Sequence, residues 1–479
     1  MSRLFLALFL FLLIREKYGY TNITLTVNYE KILAEVRKEF LSVSLDTHLI
    51  QLNWGGLNFE NQRVQRYARN LAPAILRVGG TSADSLYFKP AFGKELASKN
   101  ILPCYDPCNC DMDYKTVETF NMTARQWHQL ANFAQRVGWT LLFDLNVLDR
   151  HNGSWTGKNA ELLFDYASRK SVGPVYWQLG NEPNILPHFY NRSINPSTLG
   201  RDFLKLSTIV KKYKAFQQSL IVGPDVTHPK QDMNSSKPMK YLRAFLQAGG
   251  EALDAVSWHH YYFDGRQATA DDFVNITHFD SFKEQAKLVC SETRRILGQK
   301  KSVWLTETSD GYGGGVRNLS QTFIANFLWL DKLGVSAQQG IELIVRQSFY
   351  HGCYGLLNPN LEPTPVYWLS VLHKRLVGTQ VFNVSHNSGS KIRFYSHCGN
   401  RKSSLVVFGM NLNNFSVGVN FGKELAKVKF RVFIWTEDLV IKGFKDIQNK
   451  FVKDISFEMP PKSIAFVKFR KLVGVQACK

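Results

Sequence analysis

Two glutamates occupy equivalent positions in this chain, each at the C-terminal end of a short apolar stretch. Glu182 follows the stretch Val175–Leu179, and Pro183 after it biases the backbone at Glu182 away from helix. Glu307 lies at the end of a second apolar stretch, Ser302–Thr308, ahead of a glycine-rich loop. Two carboxyl groups at one mouth can hydrolyse a glycosidic bond, one as a proton donor and the other as an ionised carboxylate. The pattern therefore predicts a glycoside hydrolase site.

The elements that must position these glutamates alternate between apolar strands and amphipathic helices. Eight strands are predicted: Phe40–Asp46, Ala74–Gly80, Trp139–Asn146, Val175–Leu179, Leu220–Val226, Ala255–Tyr262, Ser302–Thr308 and Ile341–Phe349. This alternation predicts an α/β fold, a (β/α)8 TIM barrel, whose C-terminal strand ends converge on one mouth. A doubly wound open sheet is the alternative fold.

Several segments carry a resemblance to a known family: LGNEPN, SWHHYY, WLTETSDGYGGG, and YGLLNP followed by PVYWLS. They resemble the heparanase family and its relatives, the leech-type hyaluronidases, and the resemblance runs from about Phe40 to Cys478. It implies a TIM barrel with a C-terminal β-sandwich domain. It also implies that Glu182 is the acid/base and Glu307 the nucleophile of a retaining enzyme, with no metal and no cofactor.

The resemblance further implies a set of substrate contacts around the pair. Asn181 matches a position that binds the sugar 2-hydroxyl, and a loop-stabilising amide is the alternative. Strand alternation predicts that one of His259 and His260 faces the mouth while the other packs outward. Backbone N–H groups of Gly313 and Gly314 suit the carboxylate of a uronic acid. The other expected contacts are Asp46, Thr47, Thr81, Arg266, Tyr312, Gly352 and Tyr354.

A basic cluster follows the fifth predicted strand: Lys230, Lys237, Lys240 and Arg243. The resembled family holds sulfated chains with a basic stretch in this position. Here the run is thinned by polar and acidic residues, so a solvated face is the alternative. The thinning leaves the substrate open between heparan sulfate and hyaluronan.

Charge and compartment signals point to an acidic polysaccharide as partner. The chain has 59 basic against 39 acidic residues, a net charge of +20, which favours a polyanion. The apolar run within Met1–Ile14 is too short to span a bilayer and predicts a secretory signal peptide, with a membrane anchor as the alternative. N-glycosylation acceptors are predicted at Asn22, Asn121, Asn152, Asn191, Asn234, Asn275, Asn318, Asn383 and Asn414. A secreted glycoprotein meets matrix polysaccharide before nucleic acid.

Domain boundaries follow from these patterns. We expect a signal peptide at 1–20, an N-terminal strand joining the β-domain at 21–39, the catalytic barrel at 40–379 and the β-sandwich domain at 380–479. Among seven cysteines, the resemblance implies a disulfide between Cys398 and Cys478. Cys104, Cys108 and Cys110 crowd one loop, where a local disulfide is preferred to a zinc site because no further Cys or His cluster lies nearby.

The sequence therefore predicts a secreted retaining endo-β-glucuronidase that hydrolyses internal glucuronosyl linkages of heparan sulfate. A hyaluronan-cleaving enzyme on the same scaffold is one alternative. A non-catalytic glycosaminoglycan-binding protein is another, and the two glutamates in intact motifs count against it. The expected location is extracellular, in the matrix, with the lysosome as a second compartment. No nucleic-acid partner and no membrane segment after signal removal are expected.

Overall fold

The computed structural model describes residues 21–91, 118–170, 173–230, 232–401, 403–422, 425, 428, 430–437, 448–452 and 456–470. The predicted signal peptide lies outside these described residues, as do Cys104, Cys108, Cys110 and Cys478. In the described part of the chain, no helix combines the length and apolar character needed to cross a membrane.

The described strands, in chain order, are β1 Thr21–Glu35, β2 Leu41–Asp46, β3 Ala74–Gly79, β4 Leu86–Lys89, β5 Phe120–Thr123, β6 Trp139–Leu145, β7 Arg150–His151, β8 Ser154–Trp155, β9 Val175–Leu179, β10 Val222–Val226, β11 Ala255–His260, β12 Phe263–Asp264, β13 Ser302–Thr308, β14 Gly311–Tyr312, β15 Leu343–Arg346, β16 Val377–His386, β17 Ile392–Gly399, β18 Ser404–Asn411, β19 Val417–Phe421, β20 Phe430–Trp435, β21 Gln448–Val452, β22 Ser456–Met459 and β23 Ser463–Arg470. The described α-helices are α1 His48–Gln51, α2 Gln62–Asn70, α3 Ala124–Val137, α4 Lys158–Arg169, α5 Leu186–Tyr190, α6 Pro196–Lys211, α7 Lys237–Gly249, α8 Ile276–Leu297, α9 Ala325–Gln339 and α10 Pro365–Leu376.

Eight parallel strands form the barrel, ordered β2, β3, β6, β9, β10, β11, β13 and β15, with β15 pairing back to β2. A parallel bridge between Trp177 and Ile221 joins β9 to β10 and closes the ring. Almost every residue of these strands is buried, because both faces of a parallel strand are covered. The TIM barrel prediction is confirmed, and ring closure excludes the open-sheet alternative.

The outer helices have the sequence signals that their positions require. In α3, the Thr123 side chain and the Gln126 side chain form a reciprocal capping box, and Gly138 ends the helix in the left-handed conformation. Its buried face, including Trp127 and Leu130, packs against the barrel. Helical periodicity thus turns one apolar stripe toward the strands.

The barrel interior is built in two layers. The lower layer is a separate apolar cluster near the N-terminal strand ends: Ile75, Leu142, Val222, Ala255, Trp304, Leu343 and Val345. The upper layer is polar and almost completely buried: Ser44, Arg77, Asp144, Gln178, Asp225, Ser257, Thr306 and Gln347. On most strands the two layers are two residues apart, since inward-facing side chains recur with a period of two. The upper layer lies directly beneath the mouth.

The described part of the β-domain is a nine-stranded sheet ordered β21, β20, β23, β18, β17, β16, β1, β19 and β22. The N-terminal strand β1 lies inside it, antiparallel to β16 and parallel to β19. The sheet packs on itself, because Phe421 of β19 contacts Phe430 of β20 and Phe469 of β23, with ring centroids 5.4 and 4.9 Å apart. Two facing layers around one apolar core are a β-sandwich, which confirms the predicted second domain.

Helix α9 is the element shared by the two domains. Its residues from Ala325 to Ala337 are all buried, which an ordinary surface helix does not show. On its β-domain side, Asp331 accepts hydrogen bonds from Arg393 and Tyr395 of β17. On its barrel side it faces the ends of β11 and β13.

Candidate active site

Glu182 lies just past the end of β9, as its sequence position predicted. Gly180 has φ of 83°, and a Cβ there would lie 2.7 Å from the Val147 side chain, so only glycine fits this turn. Glu182 itself has φ of 47°, a left-handed conformation that is uncommon for a residue with a side chain. Its side chain is 15% exposed, and Oε1 lies 3.1 Å from His259 Nδ1. The turn therefore presents one largely buried carboxyl group at the mouth.

Glu307 lies near the end of β13, across the mouth from Glu182. Arg77 donates from Nη1 to its Oε2 at 2.7 Å, and the Tyr261 hydroxyl donates to its Oε1 at 2.8 Å. Both oxygens of the carboxyl group are thus held by donors from the protein. The side chain is only 11% exposed, so it is fixed in place yet still reaches the cavity.

The two glutamates form a close pair in unequal surroundings. One carboxylate oxygen of each, together with a ring nitrogen of His259, lie within 4.8 Å of one another. Burial raises the pKa of Glu182, the neighbouring charge of Glu307 adds to this, and the hydrogen bond from His259 opposes it. Glu182 is therefore favoured as the proton donor, whereas Glu307 is bound by the guanidinium of Arg77.

Arg77 is the central cation of the site, and the sequence analysis missed it. It is fully buried in β3. Besides Glu307, its guanidinium donates to Gln178 Oε1 at 2.8 Å, Asn181 Oδ1 at 2.9 Å and Asp225 Oδ2 at 2.8 Å. A planar group with five N–H donors in a fixed arrangement can bind acceptors on several strands at once. The available signal was an arginine inside the apolar stretch AILRVGG.

Asp225 is the matching anion, also missed. It accepts hydrogen bonds from Gln178 Nε2 and Thr306 Oγ1, each at 2.7 Å, and from the Ser257 hydroxyl. Burial alone would raise its pKa, but the charges of Arg77 and His259 outweigh burial and lower it. This carboxylate stays ionised and anchors the polar upper layer.

His259 and His260 separate as strand alternation predicted. His259 faces the mouth, with Nδ1 near Glu182 and Nε2 3.2 Å from Asp225 Oδ2. Burial lowers its pKa, but Glu307 and Asp225 more than compensate and raise it to about 10. His260 packs outward against Phe282, with ring centroids 4.6 Å apart, and is a core histidine.

The protonation state of His259 decides what the cluster of Glu182, His259 and Glu307 can hold. An imidazolium donates from both ring nitrogens and has no lone pair for a metal ion. Each glutamate already binds a protein donor. The arrangement suits proton transfer and charge stabilisation and does not fit a metal centre.

The predicted contacts on β2 and β3 lie on one side of the mouth. Asp46 is partly exposed and pairs with His48, Oδ1 to Nδ1 at 3.0 Å. Gly80 has φ of 112°, and a Cβ there would lie 2.6 Å from Asp46 Oδ2. Thr81 lies beside it, with its carbonyl accepting from the Tyr190 hydroxyl at 2.5 Å. Thr47 is completely buried, so its side chain supports the turn.

The glycine-rich loop after β13 lies two strands away from β2 around the barrel, with β15 between them. Tyr312 is 43% exposed, and Gly313 and Gly314 follow it with φ of 81° and 93°. The carbonyl of Gly314 accepts from the backbone N–H of Cys353 at 2.7 Å, which joins this loop to the one after β15. Tyr354 stacks near Tyr261, with ring centroids 6.4 Å apart. Both loops therefore border the carboxylate pair.

Other predicted residues of the two loops are set by local contacts. Gly352 lies against Tyr354, because a Cβ at Gly352 would lie 2.5 Å from that ring. Arg266 is 58% exposed and binds Asp264 through Nη2 at 2.7 Å. Cys353 is disulfide-bonded.

The basic cluster is only partly available to a ligand. Lys230, Lys237 and Lys240 are exposed, the latter two on the first turns of α7. Arg243 is instead held by Glu292, Nε to Oε2 at 2.6 Å, and by Asn234. Three of the four predicted side chains are therefore solvent-facing, and the fourth ties α7 to α8.

Cys398 is buried in β17 and accepts a hydrogen bond from the backbone N–H of Gln380 at 3.4 Å. Its expected partner, Cys478, lies outside the described residues. The pairing stays a prediction, as does the local disulfide expected among Cys104, Cys108 and Cys110.

Sequence comparison places this geometry among known proteins. Residues 49–334 match the profile of glycosyl hydrolase family 79, N-terminal domain. The chain is 37% identical to heparanase of Mus musculus over 421 residues, which cover 80% of this chain and 77% of that protein. It is 30% identical to inactive heparanase-2 of the same species, covering 82% and 76%. It is 28% identical to hyaluronoglucuronidase of the leech Hirudo nipponia, covering 95% and 99%.

Solved structures share the architecture at low sequence identity. An arabinofuranosidase of family GH51 from Xanthomonas axonopodis pv. citri superposes with a TM-score of 0.69 at 13% identity, covering 94% of this chain and all of that one. A 4-O-α-L-rhamnosyl-β-D-glucuronidase from Fusarium oxysporum gives 0.67 at 13% identity, covering 93% and 99%. These similarities establish the same two-domain fold.

Proposed function

This chain belongs to glycosyl hydrolase family 79, and we propose that it is a retaining endo-β-glucuronidase acting on internal glucuronosyl linkages of heparan sulfate. One observation carries the proposal: two carboxyl groups approach within 4.8 Å, and of the two only Glu307 binds the buried guanidinium of Arg77. Inverting enzymes need room for a water between the carboxyl groups, about 6.5–9.5 Å, whereas retaining enzymes keep them about 5–5.5 Å apart.

In the first step, Glu307 attacks the anomeric carbon of a glucuronosyl unit. The bond from that carbon to the glycosidic oxygen breaks, and Glu182 gives its proton to the departing oxygen. Burial raises the pKa of Glu182, which favours the protonated form that this role needs, and hydrogen bonds from Arg77 and Tyr261 hold the carboxyl group of Glu307 in place. A covalent glycosyl ester on Glu307 results.

In the second step, water takes the place of the departed sugar. Glu182, now a carboxylate, accepts a proton from this water as its oxygen attacks the anomeric carbon. The ester bond to Glu307 breaks, and both glutamates return to their starting states. The imidazolium of His259, fixed by Asp225, stabilises the carboxylate form of Glu182 between the two steps.

Features around the pair support a uronic-acid substrate. Arg77 holds the amide oxygen of Asn181, which leaves that side chain's N–H group to donate to a sugar hydroxyl. Backbone N–H groups of Gly313 and Gly314 can donate to the substrate carboxylate. The exposed Lys237 and Lys240 can bind sulfate groups farther along the polysaccharide. The relatives named heparanase support the same substrate class.

Hyaluronan is the second candidate. The relative named hyaluronoglucuronidase aligns over 99% of its own length, and the withdrawal of Arg243 into an ion pair reduces the charge offered to a sulfated chain. A purely non-catalytic binding protein is disfavoured because both glutamates keep their partners. The signal-like N-terminus and the glycosylation acceptors support a secreted enzyme that meets these polymers in the matrix, with the lysosome as a second compartment.

The deciding experiment incubates purified protein separately with heparan sulfate and with hyaluronan, and sizes the products by gel filtration. We expect heparan sulfate to be shortened to oligosaccharides, with Glu307→Gln as the control that excludes a contaminating enzyme. Shortening of hyaluronan alone would select the second candidate. No change in either polymer with folded protein would overturn the proposal.

A further inference from the structure

Lys332 of α9 is a fully buried lysine with three acceptors at the end of the barrel. Its Nζ donates to Thr308 Oγ1 at 2.6 Å, to the Ser309 carbonyl at 2.7 Å and to the His260 carbonyl at 3.4 Å. Its relative exposure is 1%. Since a buried lysine is costly unless its donors are satisfied, three acceptors from two strand ends indicate a specific role.

The acceptors belong to the strand ends that carry the catalytic groups. Thr308 and Ser309 directly follow Glu307 on β13, and His260 directly follows His259 on β11. His259 is paired with Glu307 across the two strands. Glu307 and His259 point into the mouth, whereas the Thr308 side chain points outward to Lys332 of α9 and the His260 side chain packs outward against α8.

Regular strand pairing is interrupted at this place. On β11, Trp258 pairs with Leu305 and the next residue, His259, pairs with Glu307, so Thr306 is an extra residue on β13. The pairing of β13 with β15 shifts between Leu305 and Thr308 as well. A β-bulge changes the direction of a side chain but interrupts the hydrogen bonds between the paired strands. Other hydrogen bonds must therefore hold the strand end in place.

Lys332 and Thr308 provide those bonds together. The Thr308 hydroxyl donates to the His260 carbonyl and accepts from Lys332, so one hydroxyl joins both strands to α9. The Lys332 ammonium group also lies 4.1 Å from the ring centroid of Tyr262, which follows β11. These contacts fasten the two strand ends from behind.

We propose that Lys332 is a positioning residue for the hydrolysis, which acts through Thr308 to hold Glu307 and His259 in register at the bulged ends of β13 and β11. The inference rests on the proposed function for its kinetic consequence. Its structural part concerns the placement of the His259 ring and can be measured without any substrate.

The kinetic test compares Thr308→Val with Thr308→Ser on the polymer that the wild type cleaves. Valine keeps the shape and removes the hydroxyl, whereas serine restores it. We expect Thr308→Val and Lys332→Met to lower kcat by about tenfold or more with KM changed less than about twofold, since small displacements of a catalytic group are costly. Thr308→Ser should retain most of the wild-type kcat.

Thr293→Val is the matched control, because Thr293 is also fully buried but lies in α8 away from the mouth. It should leave kcat and its pH profile unchanged. Thr308→Val and Lys332→Met should displace the pH profile, since both alter the contact of His259 with Glu182. Equal kcat and equal profiles for Thr308→Val and Thr308→Ser would overturn the proposal, even if Lys332→Met fails to fold.

The substrate-independent readout is the nitrogen NMR spectrum of histidine-labelled protein, in which the His259 signals are identified by their loss in His259→Gln. Thr308→Val should move these signals while Thr293→Val leaves them in place. Unmoved His259 signals in Thr308→Val would contradict the positioning role. If the wild type cleaves neither polymer, the proposed function fails, and this spectrum still decides the role of Lys332.

Discussion

The two layers of the barrel interior come from strands of the same barrel and differ completely in chemistry. The lower layer is an apolar cluster, whereas two or three residues farther along the strands the upper layer contains Arg77, Asp144 and Asp225. Apolar packing stabilises the lower layer without regard to direction. In the upper layer each buried charge needs specific partners, because an unpaired one would cost several kcal/mol.

The difference shows how the protein balances charge beneath a catalytic mouth. Arg77 and the protonated His259 face Asp225 and Glu307, the proposed nucleophile. Burial raises the pKa of Asp144 to about 8 despite the nearby Arg77, which favours the neutral form of this third carboxyl group. The charged groups of the upper layer are thus fixed in position around the two glutamates before substrate binds. The lower layer contributes only apolar packing.

The largest effect should come from removing either carboxyl group at the mouth. Glu182→Gln and Glu307→Gln should each reduce kcat by at least about a thousandfold while the protein stays folded, because each step requires an ionisable group there. Polymer shortening and thermal unfolding should be measured on the same samples. Near wild-type turnover in either variant would remove that residue from the mechanism.

The next effect compares one residue from each layer. Arg77→Met should lower the free energy of unfolding by about 3–5 kcal/mol and abolish activity, because it leaves Asp225 and Glu307 without their shared cation. Leu142→Ala in the lower layer should cost a similar 2–5 kcal/mol, roughly, through a cavity.

The comparison depends on the activity of the Leu142→Ala variant. Assayed well below its unfolding temperature, its kcat should stay close to that of the wild type. If Leu142→Ala lowers kcat as much as Arg77→Met while both variants are folded, the lower layer does not serve stability alone, and the assigned difference between the layers is wrong.

A smaller effect should appear in the pH profile when His259 is replaced. Activity requires protonated Glu182 and should decline as the pH rises through its raised pKa, which gives a mildly acidic optimum. The imidazolium of His259 lowers the pKa of Glu182, so His259→Gln should shift the alkaline limb of the kcat/KM profile to higher pH and lower kcat. A shift to lower pH would contradict the contact between them.

The smallest effect concerns the basic cluster outside the barrel. Raising ionic strength to about 0.5 M should raise KM for heparan sulfate several-fold with little change in kcat, because exposed charges are screened over about 8–10 Å and the upper layer is not. Lys237→Ala with Lys240→Ala should mimic high salt. Arg243→Ala should instead lower thermal stability, since its partner is Glu292. If KM changes neither with ionic strength nor when Lys237 and Lys240 are replaced, the basic cluster is a solvated surface that does not bind the substrate.

Much of this arrangement could be predicted from sequence because its signals are local. The strands that carry Glu182 and Glu307 are short apolar runs with a carboxyl group at the end, and alternation separated His259 from His260. The partners of Arg77 could not be predicted, because Gln178, Asp225 and Glu307 meet it only after the barrel closes. For the same reason Arg243 was expected to be free for substrate, although Glu292, 49 residues away, binds it.

The central claim is a double displacement at two close carboxyl groups, and the anomeric configuration of the first product tests it most directly. Proton NMR of the reaction with heparan sulfate should show the β-anomer of the new reducing-end glucuronic acid first, with the α-anomer growing in later by mutarotation. Immediate appearance of the α-anomer would mean inversion by a single displacement, which would contradict the roles assigned to Glu182 and Glu307.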